Sequence, residues 1–93
     1  MIRTFKGKFA EPLFNGICPR GFPADVAKVA RRKLEMLNAA GALPDLEKPP
    51  GNRLEALKKD RKGQHSIRIN DKWRICFRWA GADAEDVEVV DYH

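Results

Sequence analysis

The spacing of apolar residues divides this chain into two parts. From about Pro23 to Ala40, Val26, Val29, Ala30, Leu34, Leu37 and Ala40 recur at intervals of three and four. That is the period of a helix with one apolar stripe, and Lys33 falls in it beside Leu34. Pro23 suits the first turn, Asp25 complements the positive end of the helix dipole, and Gly41 is the expected stop. The other face carries Lys28, Arg31, Arg32 and Glu35 and reads as solvated.

From Arg53 onward the period is two. Ile67 and Ile69 alternate with Ser66, Arg68 and Asn70; Trp73, Ile75, Phe77 and Trp79 alternate with Arg74, Cys76 and Arg78. Both runs predict half-buried antiparallel strands. Parity then selects the register. A two-residue loop at Asn70-Asp71 sets Ile67 beside Arg74 and mixes the faces. A three-residue loop, Asn70-Asp71-Lys72, pairs Ile69 with Trp73 and Ile67 with Ile75. The second is expected, although lysine suits a left-handed loop position poorly. One face is then Ile67, Ile69, Trp73, Ile75, Phe77 and Trp79, and the other Ser66, Arg68, Arg74, Cys76 and Arg78. Opposed arginines repel, so that second face needs an anion or nearby carboxylates. His65 falls opposite Phe77 on the apolar face and reads as structural.

A last strand is expected over Glu85–Asp91, with Val87 and Val89 toward the core. Val90 and Tyr92 share the parity of Arg74 if the pairing stays regular. At the other end, Met1–Lys6 suits a short first strand. Residues 8–15 make one or two helical turns limited by Pro12 and ended by Gly16, and 17–22 form a loop. Residues 42–52, with Pro44, Pro49, Pro50 and Gly51, read as a rigid linker crossing the surface. In Arg53–Lys58 the two leucines, Leu54 and Leu57, have opposite parity. A bulge, or a short strand giving way to a turn over 58–63, resolves that conflict. The predicted class is α+β: helices packed on a curved, mostly antiparallel sheet, as one domain over residues 1–93.

Ninety-three residues support one core and leave little room for a large cofactor cavity. No apolar run reaches membrane-span length, and the first residues do not resemble a signal peptide, so a soluble, cytoplasmic protein is expected. Cys18 and Cys76 lie far apart, as do His65 and His93, without the local spacing of a zinc site. Metal-dependent chemistry is therefore disfavoured, and no cofactor is expected.

Net charge is +5, but its distribution says more. Residues 80–93 hold five acids (Asp83, Glu85, Asp86, Glu88, Asp91) and no Lys or Arg, so residues 1–79 carry +10. Nine of the eighteen basic residues fall between Arg53 and Arg78. A field of that sign recruits polyanions, and Arg53, Lys59, Arg61, Lys62, Arg68 and Arg78 are the candidate contacts for one. After the last strand comes Asp91-Tyr92-His93: a carboxylate, a phenol and an imidazole, the side chain that titrates near neutral pH. Placed beside a cationic band, this triplet suits acid–base work on a phosphodiester.

The order of motifs resembles a known family. Asn52-Arg53-Leu54-Glu55-Ala56-Leu57-Lys58, Gly63-Gln64-His65-Ser66-Ile67-Arg68-Ile69-Asn70, Trp73-Arg74-Ile75-Cys76-Phe77 and Asp86-Val87-Glu88-Val89-Val90-Asp91-Tyr92-His93 are similar to the HigB ("killer protein") toxins of the RelE/ParE-like superfamily. The resemblance implies a RelE/ParE-like fold and a ribosome-dependent mRNA endonuclease. Such an enzyme cuts the codon in the ribosomal A site without a metal, and a HigA-type helix-turn-helix antitoxin neutralises it. Operator DNA is then bound only through the antitoxin. Lys58 matches a family catalytic lysine, Arg74 the arginine after the sheet tryptophan, and Asp91, Tyr92 and His93 the terminal triplet. Glu55 stands where some members hold a histidine.

On that reading His93 transfers protons, Asp91 orients it or raises its pKa, Tyr92 stacks on a base or positions the phosphate, and Lys58 and Arg74 hold phosphate oxygens. A salt bridge between Arg74 and a tail acid such as Asp91 is the structural alternative for that arginine. Two rival functions stay open: a ParE-like gyrase inhibitor on the same scaffold, and a non-catalytic RNA-binding module.

Overall fold

A computed structural model describes residues 1–91. Two helices, α1 (Ala10–Phe14) and α2 (Ala24–Ala39), precede four strands: β1 (Glu55–Ala56), β2 (His65–Arg68), β3 (Trp73–Ala80) and β4 (Asp83–Asp91). The strands form one sheet in sequence order, each pair antiparallel. The stripe of α2 (Ala30, Leu34, Leu37) joins Ile67, Ile69, Trp73, Ile75, Phe77, Val87 and Val89 in one core cluster. The helical layer thus covers one face of the sheet and leaves the other for polar chemistry.

The hairpin takes the register that parity required, with Ile67 opposite Ile75 and His65 opposite Phe77. Its loop needs no left-handed Lys72, because the Asn70 side chain shapes it instead. Asn70 Oδ1 accepts the Lys72 and Trp73 amides at 2.9 and 2.7 Å. The Ile69 amide closes on the Trp73 carbonyl at 2.9 Å. Asparagine does locally what glycine does by conformation.

β4 departs from a regular pairing. Cys76 faces Glu88 but Arg78 faces Glu85, so β4 carries one extra residue opposite Phe77. Asp86 absorbs it with φ +52°. The bulge switches parity, which lets Ala84 as well as Val87 and Val89 turn to the core. The first segment is not a full strand. It meets β4 at two isolated parallel bridges, Ile2 with Ala84 and Phe5 with Val87. Equal three-residue steps on both sides match the bulge, and Thr4 Oγ1 accepts the Asp86 amide at 2.8 Å.

Two further expectations are corrected. α2 does not end on a left-handed glycine; Ala40 leaves it in extended conformation. The Asp45 carboxylate then takes the free amides of Gly41 and Ala42 at 3.0 and 3.1 Å. Residues 42–52 are more than a linker across the surface, since they place Leu46 and Asn52 at zero exposure. Between Arg53 and Lys58 the second of the two expected solutions forms: a short strand, Glu55–Ala56, gives way to a turn at Lys59–Arg61. Leu57 is buried just beyond it, with its amide bonded to the Gln64 carbonyl at 2.9 Å. Among the described residues, no helix is long and apolar enough to cross a membrane.

Candidate functional site

The polar face of the sheet runs across all four strands. Register sets Glu55 opposite Ser66, Ser66 opposite Cys76 and Cys76 opposite Glu88; one row along, Arg68 opposes Arg74 and Arg74 opposes Val90. Arg74 is the pivot of this surface. Its Nε donates to Ser66 Oγ at 2.8 Å, and its Nη2 donates to the Arg53 carbonyl at 2.8 Å. Glu55 Oε1 lies 3.5 Å from the same Nη2. The guanidinium plane is therefore held by one hydroxyl, one carbonyl and one carboxylate before any substrate arrives.

The Arg53 carbonyl is available because of its backbone. Arg53 has φ +45°, a conformation seldom adopted outside glycine. Just before it, the buried Asn52 carboxamide accepts a hydrogen bond from Lys33 Nζ and donates to the Leu46 carbonyl at 3.1 Å. Burial, with Arg32 and Arg68 nearby, holds the Lys33 ammonium below the ordinary lysine pKa. A side chain on α2 thus anchors the loop whose next residue positions Arg74.

The turn Lys59–Arg61 folds back over the polar face. Arg61 Nη1 reaches Glu88 Oε1 on β4 at 3.2 Å and Gln64 Oε1 at 3.1 Å. Lys58, Lys59, Asp60 and Arg61 line an open cavity of about 220 Å³. Lys59 sits at φ +57°, a second left-handed non-glycine residue on this edge. Beneath lies Cys76, fully buried; burial pushes its thiol pKa up, reinforced by Glu88 and Glu55 against Arg61 and Arg74. A thiol so placed is no nucleophile.

The basic candidates divide into two groups. Arg61 pairs with Glu88, Arg68 with Asp71, Arg74 with Glu55 and Arg78 with Asp86. Arg53, Lys58, Lys59 and Lys62 are exposed and have no ion pair among the described residues. The acidic tail seen in sequence therefore mixes with the basic band in space. Asp91 stands opposite Trp73, and its Oδ2 lies 3.6 Å from Lys72 Nζ. The ion pair of Arg74 is made to Glu55 rather than to the tail acid of the alternative reading, because the guanidinium reaches across β2. Val90 has the parity of Arg74, as expected. Tyr92 and His93 lie outside the described residues.

His65 stacks on Phe77 at 6.2 Å, and its buried Nδ1 has no hydrogen-bond partner among the described residues. Ser66 was not among the sequence candidates. A small hydroxyl two residues before Arg68, on the same face of β2, was the signal available for it. Among the described residues, no group of three or more His, Cys, Asp or Glu is placed to hold a metal ion.

Residues 3–93 match a family described as the RelE-like toxin of type II toxin–antitoxin system HigB. The chain belongs to this family. Toxin HigB-1 of Vibrio cholerae serotype O1 is 41% identical over 80 residues, covering 85% of this chain and 84% of the relative. Endoribonuclease HigB of Proteus vulgaris is 32% identical over 93 residues, the full length of both. An uncharacterized protein of Haemophilus influenzae is 32% identical over 65 residues, 70% of this chain and 64% of that protein. The fold is accordingly RelE-like, and membership of a type II system implies an antitoxin partner.

Proposed function

We propose that this toxin is an endoribonuclease that cuts mRNA in the ribosomal A site and so arrests translation in the cytoplasm, acting as one domain of residues 1–93. The activity named for the Proteus vulgaris relative points the same way. One observation carries the reading: Arg74 is pinned by Ser66, Arg53 and Glu55 on the strand next to the one that leads into the Asp91-Tyr92-His93 triplet. A preorganised guanidinium suits a phosphate whose charge grows during reaction.

RNA brings its own nucleophile. The 2′-oxygen attacks phosphorus, the bond to the 5′-oxygen breaks, and the products are a 2′,3′-cyclic phosphate and a 5′-hydroxyl. One proton leaves the 2′-OH and one reaches the departing oxygen. His93 is the proposed proton-transfer group, Asp91 its orienting carboxylate, and Tyr92 the group that stacks on a base or positions the phosphate. Lys58 and Arg74 hold phosphate oxygens. Glu55 serves as the carboxylate that orients Arg74. Arg53, Lys59 and Lys62 guide the RNA backbone along the edge, while Arg61, Arg68 and Arg78 do so only as far as their ion pairs yield. The antitoxin is a HigA-type helix-turn-helix protein, and operator DNA is bound through it.

The test is removal of His93, followed by codon cleavage on programmed ribosomes. Proton-transfer groups contribute about 10²–10⁴-fold each, so cutting should fall by that order. Undiminished cutting would refute the assignment. Growth arrest with DNA damage and intact mRNA would favour a gyrase inhibitor on this scaffold.

A further inference from the structure

The helical layer holds a feature that RNA cleavage does not use. α1 closes on Gly16 and Ile17: the Ile17 amide donates to the Pro12 carbonyl at 2.8 Å, and the Gly16 amide to Leu13 at 3.0 Å. This pair of bonds, with Gly16 at φ +84°, is a Schellman stop. It fixes the backbone of Ile17, yet the residue is 61% exposed. Among the described residues, Met1 is the other large hydrophobic so exposed, and it is the first residue of the chain. Exposure at Ile17 is braced, not frayed.

Beside it lies an open cavity of about 280 Å³, lined by Leu13, Ile17, Cys18, Ala24 and Ala27 together with Lys28 and Arg31. Arg31 lies against Gly16, where a β-carbon would meet its Cζ at 3.3 Å. Its ion pair with Glu35 is loose, 3.8 Å between groups more than half exposed. Lys28 has no ion pair among the described residues. The two cations stand three residues apart on one helix face. No aromatic ring lines the slot, so it lacks the surface on which RNA bases stack. A mostly aliphatic lining that also carries two cations matches an aliphatic side chain flanked by carboxylates.

We propose that this slot docks an acidic amphipathic segment of the antitoxin, seating an aliphatic side chain against Ile17 and Leu13 and placing carboxylates at Lys28 and Arg31. The proposal rests on family membership, which implies an antitoxin, and not on the cleavage reading. The slot belongs to the helical layer, with the sheet between it and the polar face.

Purified antitoxin from the same operon is titrated calorimetrically against wild type, Ile17→Asp, Ile17→Ser and the double variant Lys28→Glu/Arg31→Glu. Ile17→Asp and the double variant should each weaken binding about tenfold or more, and Ile17→Ser less. Rescue of growth by the antitoxin should fail in step, while free toxin arrests growth as before. Wild-type affinity should drop with salt more steeply than that of the double variant. Unchanged affinity in all three variants overturns the proposal. So does a loss of toxicity with antitoxin affinity intact, because that makes the slot an RNA surface. A toxin shown not to cut RNA would leave the slot standing, so the two readings fail separately.

Discussion

The polar face of the sheet and the edge over residues 53–62 are both rich in cations, yet they differ in kind. On the sheet, Arg68, Arg74 and Arg78 each have a carboxylate within ion-pair distance. Along the edge, Arg53, Lys58, Lys59 and Lys62 have none among the described residues, and two of them hold left-handed backbone. The sheet arginines are committed to one geometry; the edge cations are available. A count of basic residues treats these as equivalent, but a fixed guanidinium positions one phosphate while free cations attract a chain of them.

The sharpest way to break this contrast is at Arg74. Arg74→Ala should lower mRNA cutting by about 10²–10³-fold, the effect typical of losing one preorganised donor. Arg74→Lys should recover little, since an ammonium cannot span Ser66 and the Arg53 carbonyl together. Full activity in Arg74→Lys, read in a ribosome cleavage assay, would reduce the polar face to scaffold.

Along the edge, neutralising Lys58, Lys59 and Lys62 together as Gln should weaken RNA binding and flatten its salt dependence. Three lost phosphate contacts change the log–log slope by about 2 for single-stranded RNA. An unaltered slope in binding titrations from low to moderate salt would mean that the edge does not track the backbone.

Asn52 connects the two regions through the core. Asn52→Ala leaves the Lys33 ammonium and the Leu46 carbonyl unpaired, at a cost of about 1–3 kcal/mol by urea unfolding. The pH dependence follows from Lys33, whose pKa is lower in the folded chain than the ordinary 10.5. Between those two values the unfolded chain binds more protons, so stability attributable to this group rises with pH in that alkaline window. Wild type minus Lys33→Met should show that rise in unfolding curves at successive pH values. A flat difference would place the lysine in water.

The smallest effect belongs to the exposed pair Arg78–Asp86, at 3.5 Å and about half exposed on both sides. Arg78→Gln should change stability by no more than about 1 kcal/mol. A large loss of cutting in that variant would show that the pair opens to hold RNA, and the line between paired and available cations would have to be redrawn.

Much of this architecture was legible in the residues. Ile67, Ile69, Trp73, Ile75 and Phe77 dictate one register because a shift of one residue would turn every one of them to water. The stripe of α2 was equally plain, since its period repeats over four turns. Asp86 could not be read, because the extra residue in β4 is defined only against β3. Glu88 belonged to an acidic tail until the Lys59–Arg61 turn brought Arg61 to it from 27 positions away.

Local chemistry, carried by side-chain alternation and by a short-range stop at Gly16, determined which face of each element is apolar and where α1 ends. Tertiary packing decided which charges meet. It gave Arg74 to Glu55 and Lys72 to Asp91, and it buried Lys33 against Asn52. Hydrophobic burial acts through a period visible along the chain, whereas an ion pair depends on a distance that exists only after the chain has folded.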